Sequence, residues 1–196
     1  MVWNKSRLEK TIYLTFDDGP IPEVTPWVLK TLKAYNAKAT FFCIGDNIQK
    51  HPKIFAQLKA DGHSIGNHTQ NHLKGWAVAD VTYIDNIRQC SQWMESDLFR
   101  PPYGRIKRSQ IREIQNSKFK TQNRDQAFKI IMWDVLSGDF DTQLSPEKCL
   151  QNVLKKTTNG SIIVFHDSSK AWERLEYVLP KALEFWQKEG YSFGVL

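Results

Sequence analysis

Residues 11–20 read TIYLTFDDGP, an apolar run rich in β-branched and aromatic side chains that ends on two adjacent carboxylates, Asp17 and Asp18, followed by Gly19-Pro20. The run predicts a strand over Thr11–Asp17, and the Gly-Pro pair predicts a sharp turn after it. The same grammar recurs along the chain. Further strands are expected at Ala39–Gly45, His63–Asn67, Leu98–Pro101, Lys129–Val135, Ser161–His166 and Tyr191–Leu196. Between them lie segments of helical period. Val24, Trp27, Val28, Leu32 and Tyr35 form one apolar stripe, Ile54, Phe55 and Leu58 another that stops at Asp61-Gly62, and Tyr83, Ile84, Ile87, Cys90 and Met94 a third. Ile106, Ile111 and Ile114 make a weaker stripe. Ser145-Pro146-Glu147 supplies an N-cap with Pro at N1 for a helix running to Asn159-Gly160. A last helix spans 171–189, where Pro180 is expected to kink or split it. The polar stretch 119–126 reads as a surface loop. Strands alternating with helices imply parallel strands joined by crossovers, either an α/β barrel or an open doubly wound sheet.

The 196 residues fit one domain at roughly 150 residues per domain. With 41% hydrophobic and 24% charged residues the chain has material for a substantial core, which excludes a mainly disordered or low-complexity state. Lys and Arg number 27 against 21 Asp and Glu, a formal +6 that raises the question of an anionic partner. Cys43, Cys90 and Cys149 are odd in number and have no C-x-x-C spacing, so they read as free, buried thiols. The N-terminus shows no signal-peptide core, and no apolar stretch reaches about 18 residues. The expectation is a chain without a membrane anchor.

Chemistry gathers at the C-terminal ends of the expected strands, the face on which parallel α/β folds build their sites. Asp17 and Asp18 leave the first strand together, which is costly unless a cation neutralises them; an acidic turn or helix cap is the other reading. After the third strand, His68-Thr69-Gln70-Asn71-His72 places two imidazoles four apart, on one side of a helical turn and within reach of one ion. With Asp18 they compose the His-His-carboxylate set of a catalytic zinc site, leaving Asp17 beside a water on the metal. Arg100-Pro101-Pro102-Tyr103-Gly104 closes the fourth strand with a stiff loop, and the Tyr103 N–H could face the site. His166-Asp167 ends the run Ile162–Phe165. A histidine there reads as proton donor, metal ligand or satisfied core residue.

The ordered set TFDDGP, HTQNH, RPPYG, WDVLSGDF and IIVFHD resembles the five signature motifs of the polysaccharide deacetylase (NodB-homology) family of carbohydrate esterases, from about Thr11 to the C-terminus. The resemblance implies a distorted (β/α)7 barrel spanning 1–196 and metal-dependent removal of N- or O-acetyl groups from a glycan. It further implies Asp17 as general base, Asp18, His68 and His72 as metal ligands, and Arg100 as the partner of the base. Tyr103 would offer its backbone amide to the oxyanion, and His166 would be the general acid. The metal would be divalent: zinc first, with cobalt or nickel as alternatives. The fourth motif departs from the pattern, because Leu136 and Phe140 stand where many members carry an aspartate and a tryptophan. Asp134 or Asp139 would then have to tune His166; failing that, its pKa would stay near the ordinary histidine value of about 6.5. Val164 replaces the usual leucine of the acetate pocket, and Phe140 and Trp133 complete an apolar cap.

Trp76 and Tyr103 are candidate platforms for sugar rings, whereas His63 reads as structural and His51 as solvated. Asp167 is a candidate for orienting its own loop. The competing readings are a related metal-dependent amidohydrolase acting on a non-glycan amide, a catalytically silent glycan-binding protein, and a nucleic-acid binder. The last lacks any recognised motif, since the basic residues are spread over the helices; the densest group, Arg105, Lys107, Arg108 and Arg112, would serve an acidic glycan equally well. The expected partner is therefore an acetylated glycan, such as an N-acetylglucosamine polymer, a chitin oligomer or acetylated xylan, handled by a monomer. The absence of an export signal implies a cytoplasmic location, in conflict with relatives that act outside the cytoplasm unless the native N-terminus is longer.

Overall fold

The structure, a computed structural model, describes residues 1–116, 120–121, 124–125 and 127–196. Strands β1 (Thr11–Asp17), β2 (Ala39–Cys43), β3 (Ser64–Asn67) and β4 (Leu98–Phe99) alternate with helices α1 (Val24–Ala34), α2 (Gly45–Lys50), α3 (Pro52–Ala60), α4 (Asp80–Ser91) and α5 (Arg108–Asn116). Short strands β5 (Lys120–Thr121) and β6 (Arg124–Asp125) pair antiparallel where a plain loop was expected, and the rest of 119–126 lies outside the described residues. The chain continues through β7 (Lys129–Ile130), β8 (Val135–Leu136), α6 (Pro146–Lys156), β9 (Ile162–His166), α7 (Trp172–Lys188) and β10 (Ser192–Phe193).

The main sheet is parallel, in the order β7-β4-β3-β2-β1-β9-β8, with β10 added beside the start of β1. Its two edge strands, β7 and β8, belong to one segment and are separated only by residues 131–134. A link that short reaches less than about 20 Å, so the sheet must curl until its edges meet. This is the distorted (β/α)7 barrel, with one corner made from a broken strand.

Period-two alternation sorts the side chains of each strand between two environments. Leu14 and Phe16 of β1, Phe41 of β2, and Ile163 and Phe165 of β9 face outward into the layer beneath the helices, where Phe16 stacks on Phe41 and Phe165 at 5.0 and 5.7 Å. The intervening residues face the barrel interior. Its lower part is plugged by Phe42, Leu98, Ile131 and Ile162 with Val2 and Leu196, and its upper end carries Asp17, Arg100 and His166. The outward set made the strands recognisable in sequence, and the inward set makes the site.

Further elements differ from the sequence expectation. The strand expected over Lys129–Val135 is interrupted because the Ile131 and Met132 carbonyls accept hydrogen bonds from the Arg100 guanidinium, at 3.2 and 3.1 Å, while Met132 N–H donates to Val2 O at 2.7 Å. Gly45 opens helix α2 instead of closing β2. That helix has a single buried aliphatic residue, Ile48, and its first N–H groups bond to Thr69 O and Gln70 O, so tertiary partners rather than periodicity define it. Helix α7 runs unbroken through Pro180. An interior proline costs about 3 kcal/mol, whereas each fully buried aliphatic or aromatic residue contributes about 1.5–3 kcal/mol. Leu175, Val178, Leu179, Ala182, Leu183 and Trp186 are all completely buried, so packing prevails. The N-cap at Ser145 is present, accepting from Lys148 N–H at 3.3 Å, and all three cysteines are free and buried. Among the described residues no helix is long and apolar enough to cross a membrane.

Gly66 is a point of close approach in the interior, where a Cβ would run into the Phe42 ring that underlies the Arg100 guanidinium at 4.1 Å. Gly66→Ala is therefore expected to lower stability by about 1–3 kcal/mol through overpacking. Urea denaturation followed by circular dichroism measures this; an unchanged midpoint would show that the interior has slack.

Candidate active site

The mouth of the barrel is assembled from the ends of β1, β3, β4 and β9. Asp17 and His166 are direct cross-strand partners in the β1–β9 register and face inward together. Asp17 is almost fully buried and pairs with Arg100, whose Nη1 donates to Asp17 Oδ1 and to Thr15 Oγ1, both at 2.7 Å. Burial pushes the Asp17 carboxyl up, but the Arg100 charge, then His68 and His166, outweigh it and hold the group below the usual carboxylate value. Asp17 is therefore a charged carboxylate at neutral pH.

Asp18 adopts φ 88°. Its backbone carbonyl accepts from Asn47 Nδ2 at 2.7 Å, which holds this rarely populated conformation. Asp18 Oδ1 then lies 3.4 Å from His72 Nε2 and 3.7 Å from His68 Nε2, and this oxygen is buried without a hydrogen-bond partner. The three ligand atoms all lie within 4.8 Å of one another. His68 Nδ1 is 2.8 Å from Arg100 O, which sets it as the protonated nitrogen and leaves the Nε2 lone pair toward Asp18. Burial, followed by the neighbouring His68, lowers His72 to about 4, so its ring is neutral. A buried orphan carboxylate oxygen facing two imidazole nitrogens is a donor set that a divalent cation could complete.

The two histidines do not share a helical turn, contrary to the spacing argument. Residues 68–72 form a loop with φ 67° at Thr69 and 57° at His72. Asn67 Oδ1 accepts the Thr69 N–H at 2.8 Å and Asn86 Oδ1 accepts the Gln70 N–H at 3.0 Å, diverting the backbone from helix. The rings still converge, with centroids 5.1 Å apart.

His166 is tuned by Asp139. Its Nδ1 lies 2.7 Å from Asp139 Oδ1, and its backbone N–H donates to Asp139 Oδ2 at 2.8 Å. Burial pulls the imidazole down, but Asp139, assisted by Asp17 and Asp18, lifts it to about 9. An unperturbed value was the expectation had Leu136 left the histidine without a partner; Asp139 removes that condition. Asp134 is occupied elsewhere, pairing with Arg7 at 2.7 Å and accepting the Ile162 N–H at 2.8 Å. Behind Asp139 stands Arg174 of α7, buried and donating from Nε to Asp139 O at 2.7 Å.

The remaining site candidates take distinct places. Tyr103 has φ 61°, and its exposed ring packs on His72 at 4.5 Å. Phe140 meets His166 edge-on at 5.2 Å, and Val164 lies fully buried one inward step below His166. Trp133 packs over the Arg100 guanidinium at 5.6 Å and beneath Gly104. Asp167 holds the TFDDGP turn, accepting from Gly19 N–H at 3.0 Å and Thr25 Oγ1 at 2.7 Å; a side chain at Gly19 would collide with it. His63 sits at the opposite end of β3, accepting the Ala39 N–H at 3.2 Å, and is structural. Asn47, Asn86 and Arg174 had no recognisable signal in sequence, because each acts through a backbone group distant along the chain, and Asn67 acts through a local turn that helical spacing does not reveal.

An imidazole lifted by a buried carboxylate faces a charged carboxylate, beside a trio of Asp18, His68 and His72 that could hold a metal ion, at the mouth of a parallel barrel; paired groups held in opposite protonation states are the layout of a hydrolase site. The chain belongs to the polysaccharide deacetylase family, whose model matches residues 4–121. It is 33% identical over 199 residues to a peptidoglycan-N-acetylglucosamine deacetylase of Bacillus cereus, covering 98% of this chain and 89% of that protein. It is also 35% identical to a chitooligosaccharide deacetylase of Azorhizobium caulinodans, covering 81% and 74%. Among solved structures, the Bc1960 peptidoglycan N-acetylglucosamine deacetylase superposes with a TM-score of 0.88 at 30% identity over 100% of this chain and 90% of that one. A second family model, described as inactive STAND, matches residues 85–190. That range starts inside α4, and its strand β9 lies between β1 and β8 in the main sheet, so it marks no separate unit.

The His166–Asp139 pair gives a measurable pH dependence. The folded pKa of about 9 exceeds the unfolded value near 6.5, so the pair's stabilisation is complete below about pH 6.5 and is lost as pH rises through about 9. Imidazole NMR should show His166 titrating near 9, and Asp139→Asn should lower its midpoint by at least about one pH unit. An unmoved midpoint would exclude Asp139 as the cause.

Proposed function

We propose that this protein hydrolyses N-acetyl groups on a glycan containing N-acetylglucosamine, using one divalent ion, zinc by preference, held by Asp18, His68 and His72. The observation that carries this reading is the pairing of Asp17 and His166 across β1 and β9, with opposite protonation states, next to the orphan oxygen of Asp18. The named activities of the relatives support the substrate class.

When bound, the ion supplies Lewis acidity, polarising the acetyl carbonyl and acidifying a water. Asp17, kept ionised by Arg100, accepts the proton of the attacking water. The Tyr103 N–H, held in the rigid Pro101-Pro102 loop, donates to the oxygen on which negative charge develops, a contact whose loss typically costs about 3 kcal/mol. His166, protonated up to about pH 9, gives its proton to the departing sugar nitrogen. Val164 and Phe140 bound the space below and beside His166 as the receptor for the acetyl methyl, with Trp133 closing the wall behind Arg100. Water is consumed, the C–N bond breaks, and acetate and a free amine leave.

Asp17→Asn is expected to lower acetate release from N-acetylglucosamine oligomers by at least about a hundredfold, within the range for a lost general base, while metal content measured by elemental analysis stays at one ion per chain. More than a tenth of the original activity would overturn the base assignment. His72→Ala should lose metal and activity together, and a fully metallated, active variant would refute the ligand set. Removal of metal by a chelator should abolish turnover, with recovery on adding zinc.

A further inference from the structure

Beside the cation trio a row of rings leads outward along one side of the mouth. His72 packs on Tyr103 at 4.5 Å, Tyr103 meets Trp76 edge-on at 5.2 Å, and the Arg105 guanidinium lies over Trp76 at 4.9 Å. Lys74 Nζ stands 5.7 Å over the Tyr103 ring. Both cationic side chains belong to exposed residues, and among the described residues neither has a carboxylate within ion-pair distance. Nearby Lys107 differs, being engaged by Asp80 at 3.3 Å and Val78 O at 2.7 Å. Ring contacts hold the two charges on a platform, and a guanidinium over an indole keeps its edge donors free for a planar anion.

We propose that Arg105 and Lys74 select glycans bearing a carboxylate on the sugar next to the one being deacetylated. The inference rests on the deacetylase reading above. With an acetyl group at the Asp18–His68–His72 trio, its sugar covers Tyr103, and the neighbouring sugar reaches Trp76 with the two cations around it. A neutral polymer leaves both cations without a partner, whereas a carboxylate accepts a forked pair of hydrogen bonds from Arg105 and the Lys74 charge. The +6 excess of the chain thereby has one localised use at the site rim.

The test compares kcat/KM, by acetate release, on three probes: an N-acetylglucosamine hexasaccharide, an alternating N-acetylglucosamine–N-acetylmuramate hexasaccharide with free lactyl carboxylates, and the same compound with those carboxylates converted to methylamides. The free acid should be preferred over its methylamide, and the preference should shrink as salt is raised. Arg105→Gln and Lys74→Gln should each reduce the acid-to-methylamide ratio about fivefold, the size of a partly screened ion pair. Arg105→Lys should retain part of it. Equal rates on acid and methylamide, or a ratio unchanged in both glutamine variants, would overturn the proposal while leaving the deacetylase reading intact. No acetate from any of the three probes would instead overturn the reading on which it rests.

Discussion

A guanidinium sealed from water must have its donors met by protein, and Arg100 is completely buried inside the barrel. Its contacts reach β1 through Thr15 and Asp17 and the interrupted corner through the carbonyls of Ile131 and Met132, with Phe42 beneath it. Satisfying this one side chain breaks the strand over 129–136 into halves that pair with opposite edges of the sheet. The requirement also keeps Asp17 ionised in a place where burial alone would neutralise it. Barrel closure and the charge state of the candidate base are thus two results of one desolvated cation.

Around that centre the site separates its acids and bases by environment rather than by residue type. Four aspartates near the mouth behave differently. Asp17 is charged through Arg100, and Asp18 is strained toward two imidazoles. Asp139 lifts His166, and Asp167 is raised to about 8 by burial while it clamps the turn after β1. Such divergence lets one small cavity hold a proton acceptor and a proton donor together at neutral pH. The loops bearing these groups are fixed by asparagines, Asn47 on Asp18 O and Asn67 and Asn86 on the 68–72 loop, so the geometry does not depend on regular secondary structure.

Much of this was legible in the sequence because strand ends announce themselves. Outward-facing apolar residues alternate along β1, β2 and β9, and the polar residues that end each strand fall on the mouth by the chirality of parallel crossovers. The grouping of Asp18, His68 and His72, the pair Asp17–Arg100 and the placement of His166 were all read from that pattern and from the five ordered motifs. Where the reading failed, a specific hydrogen-bond or packing partner had overridden the periodic signal. The 68–72 segment leaves helical geometry as Asn67 and Asn86 take the Thr69 and Gln70 N–H groups; Gly45 enters a helix whose first N–H groups are met by Thr69 and Gln70; Pro180 is carried by the buried face of α7.

By itself, then, the amino-acid sequence determined the class of fold, the strand order's polar ends and the chemical inventory of the site, since each depends on residue type and spacing over short distances. Only the tertiary structure decided which carboxylate partners His166, where the barrel closes, and which cations stand at the rim. Asp134 and Asp139 are equivalent by composition and differ only in what lies across from them: Arg7 and Ser161 for one, His166 and Arg174 for the other. Hydrogen bonding and desolvation act between groups close in space, and for these residues closeness in space is set by the closed barrel and not by the order of the chain.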